Sequence, residues 1–372
     1  MNNRVFSGNY LRKLIYLSKR VLRLINYLII SKMPVGKKII VTGGMGYIGS
    51  HTVVELFESG YIPVVIDNFS NSSRQVPDAL SKITGTKIQL YEGDCTDKKF
   101  LKGVFNIEGK VEGVIHFAAF KAVGESVAEP LKYYRNNIAS TVSLLEAMAE
   151  VKCPQIIFSS SATVYGQPDC LPVTEQTPKK QAESPYGNCK QVCEEILEDV
   201  VKSRNPVKAI CLRYFNPIGA HPSSLIGELP FGVPNNLVPF ITQTAAGIRE
   251  TLTVFGNDYN TNDGTCIRDY IHVVDLAKAH VKALNYLENI SDAGFFDIFN
   301  IGTGKGYSVL EVIRAFEKAS GKKLNYKIGS RRKGDIEAIY ANADKAERVL
   351  GWKAISSMED ALRDAWNWQK RL

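Results

Sequence analysis

The sequence predicts a doubly wound α/β fold, a parallel sheet covered by helices on both faces, with a smaller C-terminal domain. Three observations predict it. Short β-branched runs alternate with helical stretches from Lys38 onward. The strand runs are continuously apolar, as strands buried on both faces are. After Tyr214 the pattern changes to Pro- and Gly-rich loops with intervening helices. Taken in order, the strands are IIVT (39–42), VVID (64–67), KIQLY (87–91), VIHFA (114–118), IIFSS (156–160) and KAICLRY (208–214), and the periodic stretches 47–59, 131–151 and 186–203 are helices between them. The loops NPIGAHP, ELPFGVPNN and GNDYNTNDG place the smaller domain over the carboxyl edge of the sheet. The expected division is residues 33–214 and 215–372, with chain near 267–303 returning to the first domain.

With 372 residues, 45% hydrophobic and 23% charged, the chain has ordinary globular composition and is long enough for a large core. The formal charge of +8 is concentrated at the start: residues 1–32 hold seven of the 46 Lys and Arg and no acid, leaving 39 basic against 38 acidic side chains in the rest. Nucleic acid is therefore not an expected partner, because the body carries no basic run beyond Arg331, Arg332 and Lys333. Seven scattered cysteines without CxxC pairs read as reduced thiols of a cytoplasmic protein, with no zinc or other metal site. In residues 1–32 the apolar positions recur at helical spacing among basic ones, but the longest apolar run is broken by Asn26 and no small-residue cleavage site follows. Neither a secretory signal nor a membrane span is expected there. The expectation is a disordered or mis-assigned leader ahead of Met33, with a membrane-surface helix as the alternative.

TGGMGYIGSH follows the first strand directly. Gly43 allows the tight turn, Gly46 lets backbone amides approach a pyrophosphate, and Gly49 lets the helix starting near Tyr47 pack on the strand. The second strand ends in Asp67, eighteen residues after Gly49. A carboxylate there accepts from both ribose hydroxyls and repels a 2′-phosphate, so the expected cofactor is NAD rather than NADP, and residues 33–214 become the NAD-binding domain. The spacing is G-x-x-G-x-x-G, unlike that of ordinary two-domain dehydrogenases.

Ser159, Ser160 and Ser161 close the strand IIFSSS, at the sheet edge where open parallel sheets build their sites. Some 25 residues on, SPYGNCK starts a helix with Tyr186 and Lys190 one turn apart on the same face. A Tyr ionises near pH 10 and needs a neighbouring cation to act as a base at neutral pH; Lys190 and the nicotinamide ring are candidates to supply it. A Y-x-x-x-K pair alone is usually a solvated helix face, and it is the glycine loop and the serine strand that give it meaning.

TGGMGYIGSHTVVEL, HFAAFKAVGESV, FSSSATVYG, SPYGNCK, LRYFNPIGAHP, PNNLVPF, DGTCIRDYIHV and RRKGD resemble the extended short-chain dehydrogenase/reductase superfamily, with its Rossmann fold, and within it the UDP-glucose (UDP-galactose) 4-epimerases. The resemblance runs from Lys38 to Lys370. It implies that Gly43, Gly46, Tyr47, Ile48, Gly49, Asp67, Asn68, Asn71, Ser72, Asp94, Cys95, Phe117, Ala118, Ala119, Lys121, Asn136 and Phe215 hold NAD together with Tyr186 and Lys190. It implies Ser161, Tyr186 and Lys190 as the catalytic triad, and Asn216, Asn236, Leu237, Arg268, Arg332 and Asp335, with Lys121, as UDP-sugar contacts in residues that include the 215–372 domain. Arginine forks suit a diphosphate.

The implied reaction is redox-neutral inversion at C4 through a bound 4-keto sugar, with NAD retained, in a homodimer paired through helices of the first domain. Two departures stand out. Cys189 replaces the Ser that many relatives carry before the lysine, and Ile339 stands where a bulky Tyr accompanies non-acetylated sugars and a small residue N-acetylated ones. Ile is intermediate, so UDP-glucose and UDP-galactose are expected, with UDP-GlcNAc/UDP-GalNAc or UDP-xylose/UDP-arabinose as the alternative. A nucleotide-sugar dehydratase would need an Asp-Glu pair after the strand-end Ser, and SATVYG has none. A non-catalytic dinucleotide binder would need only the glycine loop.

Overall fold

Alternate residues of the central strands are buried on opposite faces, and that requirement builds the architecture. In the computed structural model, which describes residues 36–203, 207–332 and 335–372, thirteen strands are found among the described residues. The basic extension of residues 1–32 lies outside the described residues. In chain order the strands are β1 (Lys38–Thr42), β2 (Ile62–Asp67), β3 (Gln89–Glu92), β4 (Gly113–His116), β5 (Gln155–Ser161), β6 (Lys208–Tyr214), β7 (Asn216–Ile218), β8 (Leu252–Phe255), β9 (Ile267–His272), β10 (Phe295–Ile301), β11 (Gly306–Ser308), β12 (Tyr326–Gly329) and β13 (Ala338–Ile339). The main sheet runs β10-β6-β5-β4-β1-β2-β3, all parallel. Ile39, Val41, Val65, Ile115, Ile157 and Ile210 face a core shared with the helices Tyr47–Glu58 and Val273–Glu288. Ile40, Val64, Val114, Ile156, Phe158 and Cys211 face the other core, closed by the helices Lys98–Glu108, Ala139–Val151 and Pro185–Val201. Continuous apolar runs are the sequence image of this two-sided burial. The chain reverses its winding between β1 and β4, and the crevice above that switch is where such sheets bind ligands.

Several expected bounds move. The sheet has a seventh strand, β10, absent from the sequence reading. It is an edge strand whose first four residues are only half-buried, and Asp297 and Asn300 interrupt its apolar pattern. The expected fourth strand stops at His116 instead of Ala118, because the chain leaves the sheet there to pass Gly43. The helix expected over 131–151 is broken at Tyr134–Ile138 by a π-helical turn, and the buried Asn137 side chain there accepts from Phe120 N and donates to Phe120 O.

Above the carboxyl edge, β11, β9 and β13 form a small sheet that β7 joins, and β8 pairs with β12. They surround a core of their own with the helices Leu237–Ala245, Val309–Ser320 and Met358–Gln369. Cys170 is exposed, the other six cysteines are buried and all seven are free. No helix among the described residues is long and apolar enough to cross a membrane.

Candidate active site

The glycine loop sets the floor of the site. Gly43 sits at φ +67°, and a Cβ there would meet Ala118 N at 2.8 Å. A Cβ on Gly49 would stand 2.2 Å from Gly43 O, whereas one on Gly46 would meet that same oxygen at 3.2 Å and nothing else. The loop and the Tyr47–Glu58 helix thus touch at Gly49, and Gly46 is the open side, a backbone cradle at a helix N-terminus. Asp67 is held by three donors: Met45 N at 2.9 Å on one oxygen, Phe69 N and Ser72 Oγ at 2.8 Å on the other. Asn68 donates to Asp94, which also accepts from Thr96 N and Oγ1. Burial raises the Asp94 carboxyl, but these hydrogen bonds outweigh it and leave its pKa lowered. Cys95 is buried in the core, and burial pushes its thiol up to about 12, so it stays protonated.

The reacting groups converge from two elements. Ser161 ends β5, and Ser184 caps the Pro185–Val201 helix by accepting from Gly187 N, with Pro185 in the first turn. That start puts Tyr186 in the first turn and Lys190 one turn on. Lys190 Nζ donates to Ser159 O at 2.5 Å and lies 5.9 Å from the centre of the Tyr186 ring. Burial pushes the Tyr186 phenol up to about 12, and the neighbouring Ser161 hydroxyl acts the other way. The expectation that Lys190 and the nicotinamide ring together favour the phenolate concerns the NAD-loaded site; in the polypeptide the Lys190 ammonium is bonded to the strand carbonyl. Burial likewise pushes Lys190 down to about 8.

On the opposite wall the polar groups pair with one another. Arg332 makes a two-pronged contact with Asp335, Nε at 3.1 Å and Nη2 at 2.8 Å, and Arg268 lies 3.7 Å from the same carboxylate while donating to Ile336 O. Lys121 is 3.0 Å from Glu228, and Asn236 Nδ2 donates to the same Glu228 oxygen at 2.7 Å. Glu228 was missed in the sequence, where it is one acid in a Gly/Pro-rich loop without periodicity. Asn136 donates to Asn137 within the π-helical turn. Phe215 and Ile339 are buried together in a cluster with Ala162, Val164 and Tyr165.

The expected site residues, Asn71, Ile48, Phe117, Ala119, Asn216 and Leu237 among them, line one cleft of about 1170 Å³ together with Glu228. Tyr270 and Trp368, also unremarked in the sequence, line it too.

The family model described as GDP-mannose 4,6 dehydratase matches residues 40–365. The chain is 54% identical over 331 residues to the UDP-glucose 4-epimerase of Bacillus subtilis, covering 89% of this chain and 96% of that protein. It is 50% identical over 341 residues to the human UDP-glucose 4-epimerase, covering 90% and 97%. The chain belongs to the UDP-glucose 4-epimerase family. A solved epimerase structure from Bifidobacterium longum, in complex with NAD+ and UDP, matches with a TM-score of 0.86 at 48% identity, covering 90% of this chain and 98% of that one. The match to the dehydratase family model does not move the chain out of the epimerase family: Ala162 and Thr163 follow Ser161, where a dehydratase would carry its acidic pair.

Proposed function

We propose that this protein interconverts UDP-glucose and UDP-galactose by inverting C4, with NAD held through turnover. The observation that carries the reading is the meeting of the glycine cradle, Ser161, Tyr186, Lys190 and the arginine wall in one cleft. The cradle fits a dinucleotide. Gly46 leaves its side open to a pyrophosphate, Asp67 is fixed by three donors at the ribose position, and Lys121 supplies a cation above the loop. Asn68, Asn71, Ser72, Asp94, Ala118, Ala119, Asn136 and Phe215 complete the NAD wall.

NAD, when bound, supplies the acceptor and donor of the C4 hydride and a positive ring near the phenol. Tyr186 takes the proton of the C4 hydroxyl and returns it on the opposite face. Ser161, which stands near enough to Tyr186 to favour its phenolate, steadies the sugar oxygen. Lys190, fixed by Ser159 O, holds its charge beneath the tyrosine. Arg268, Arg332, Asn216, Asn236, Leu237 and Asp335 grip the UDP moiety so that the sugar can turn between the two hydride transfers. Diphosphate oxygens take the place of the Asp335 carboxylate on the arginine forks. Ile339, at 5% exposure, fills the sugar end and favours sugars without an acetamido group.

Residues 33–214 with the returning segment form the NAD-binding domain, and the remainder from 215 on the UDP-sugar domain. The chain is proposed to act in the cytoplasm as a homodimer: Val127 and Leu131 are 54% and 76% exposed on consecutive helices, with Val142 on the next. Conversion of UDP-galactose to UDP-glucose by purified protein without added NAD tests the function. No conversion even with NAD added overturns it, and light scattering giving a monomer mass overturns the dimer.

A further inference from the structure

We propose that Glu194 and Arg213 are positioning residues for this reaction: their buried ion pair locks the helix that carries Tyr186 and Lys190 to the two strands beneath it. The inference rests on the epimerase reading and goes beyond it. Tyr186, Lys190 and Glu194 follow each other at intervals of four along the Pro185–Val201 helix, so they share one face over two turns. Glu194 is 1% exposed and Arg213 2%. Arg213 Nε donates to Glu194 Oε1 at 2.8 Å and Nη2 to Oε2 at 2.6 Å, while Ser160 Oγ donates to Oε1 at 2.6 Å. Lys179 Nζ stands 3.9 Å from the same carboxylate.

The register explains what this contact fixes. Ser160 of β5 and Arg213 of β6 are direct cross-strand partners, so a single carboxylate from the helix clasps both strands at one level. One residue further, Ser161 and Tyr214 are partners at the mouth of the cleft. One residue back, Ser159 O receives Lys190. Stability alone does not account for such a pair. Burying two charges costs desolvation that their attraction barely returns, and apolar replacements of similar volume are often as stable or more so. What the pair supplies is geometry, two parallel hydrogen bonds and a third from Ser160 that admit one rotation and one height of the helix. Tyr186 and Lys190 inherit that rotation, and a displacement of about 1 Å at a reacting group can cost about 100-fold in rate.

The test uses the full chain with its bound NAD and measures kcat and KM for UDP-galactose together with thermal melting. Glu194→Gln is expected to lower kcat about 100-fold with KM within about threefold of wild type, since the substrate wall is untouched. Glu194→Leu/Arg213→Met, which exchanges the ion pair for apolar groups, is expected to melt near wild type and still to show the low kcat. Wild-type kcat in that double variant overturns the proposal, because the pair would then act on stability only; unchanged kcat in Glu194→Gln does the same. Should both variants fail to fold, Ser160→Ala decides: a loss in kcat alone supports the lock, and wild-type kcat overturns it. A wild-type chain inactive on either sugar fails the epimerase reading, whereas an active wild type beside an unimpaired double variant fails this inference alone.

Discussion

The two walls of the cleft are polar in different ways. On the sheet side the ligand-facing groups are fixed by backbone and by buried hydrogen bonds: Asp67 by two amides and Ser72, Lys190 by a strand carbonyl, the glycine loop by its contact with the first helix. On the other side Arg332 and Asp335 hold each other, Glu228 and Asn236 do the same with Lys121 reaching over from the first domain, and the Arg332 side chain is 52% exposed. The first wall is fixed by the fold's own hydrogen bonds. The second keeps its charges in exchangeable pairs, which suits a surface that must release one set of partners for a diphosphate and allow a sugar to turn. Preorganisation thus belongs where hydride and proton move, and adaptability where the carrier is gripped.

The largest effect expected on the built wall is at Tyr186. Tyr186→Phe should lower kcat by about 10²–10⁴-fold with unchanged melting, and turnover near wild type would remove the tyrosine from the chemistry. Acid should weaken the same wall next. His51, His116 and His280 are buried, and burial pushes them down to about 3, about 3 and about 4. The unfolded chain takes up these protons from about pH 6.5 downward, so stability is full above that pH and falls as pH drops towards about 4. The slope is about 1.4 kcal/mol per pH unit for each histidine, and a flat melting temperature between pH 6.5 and 4.5 would contradict it.

The glycines offer an internal control. Gly49→Ala drives a Cβ into Gly43 O and should cost about 1–3 kcal/mol and bound NAD, while Gly46→Ala costs less; equal melting temperatures would mean the loop relaxes freely. On the exchangeable wall, Arg332→Ala should raise KM about tenfold with kcat nearly unchanged, and 0.5 M salt should mimic part of it; a pure kcat loss would move this arginine to the reacting centre. The smallest effect is at Glu228. Glu228→Gln frees Lys121 from competition and should lower KM about two- to threefold, within what an ion pair with one exposed partner is worth. A raised KM would show that Glu228 instead holds Lys121 and Asn236 ready for the substrate.

The same division decided what could be read from the sequence. The built wall was legible because its causes are local: a glycine trio between strand and helix, an acid at a strand end, and Tyr186 and Lys190 one turn apart. The resemblance named the arginine wall, but no spacing in the chain shows that Glu228 meets both Lys121 and Asn236, 107 and 8 positions away. Glu194 and Arg213 read as one more acid on a helix and one more base in a strand, because their meaning lies in the β5–β6 register. β10 escaped because half-buried edge strands carry little of the apolar signal that marks central ones.

The placement of β10 beside β6 also governs how the sheet is completed as the chain is made. β6 ends at Tyr214 and its outer neighbour at Ile301, so 87 residues separate the two partners. At about 5–20 residues per second of synthesis, a nascent six-stranded sheet waits about 4–17 seconds with β6 uncovered at its rim. In that interval the outer edge of β6 presents unpaired backbone donors and acceptors, which β10 covers once it is made.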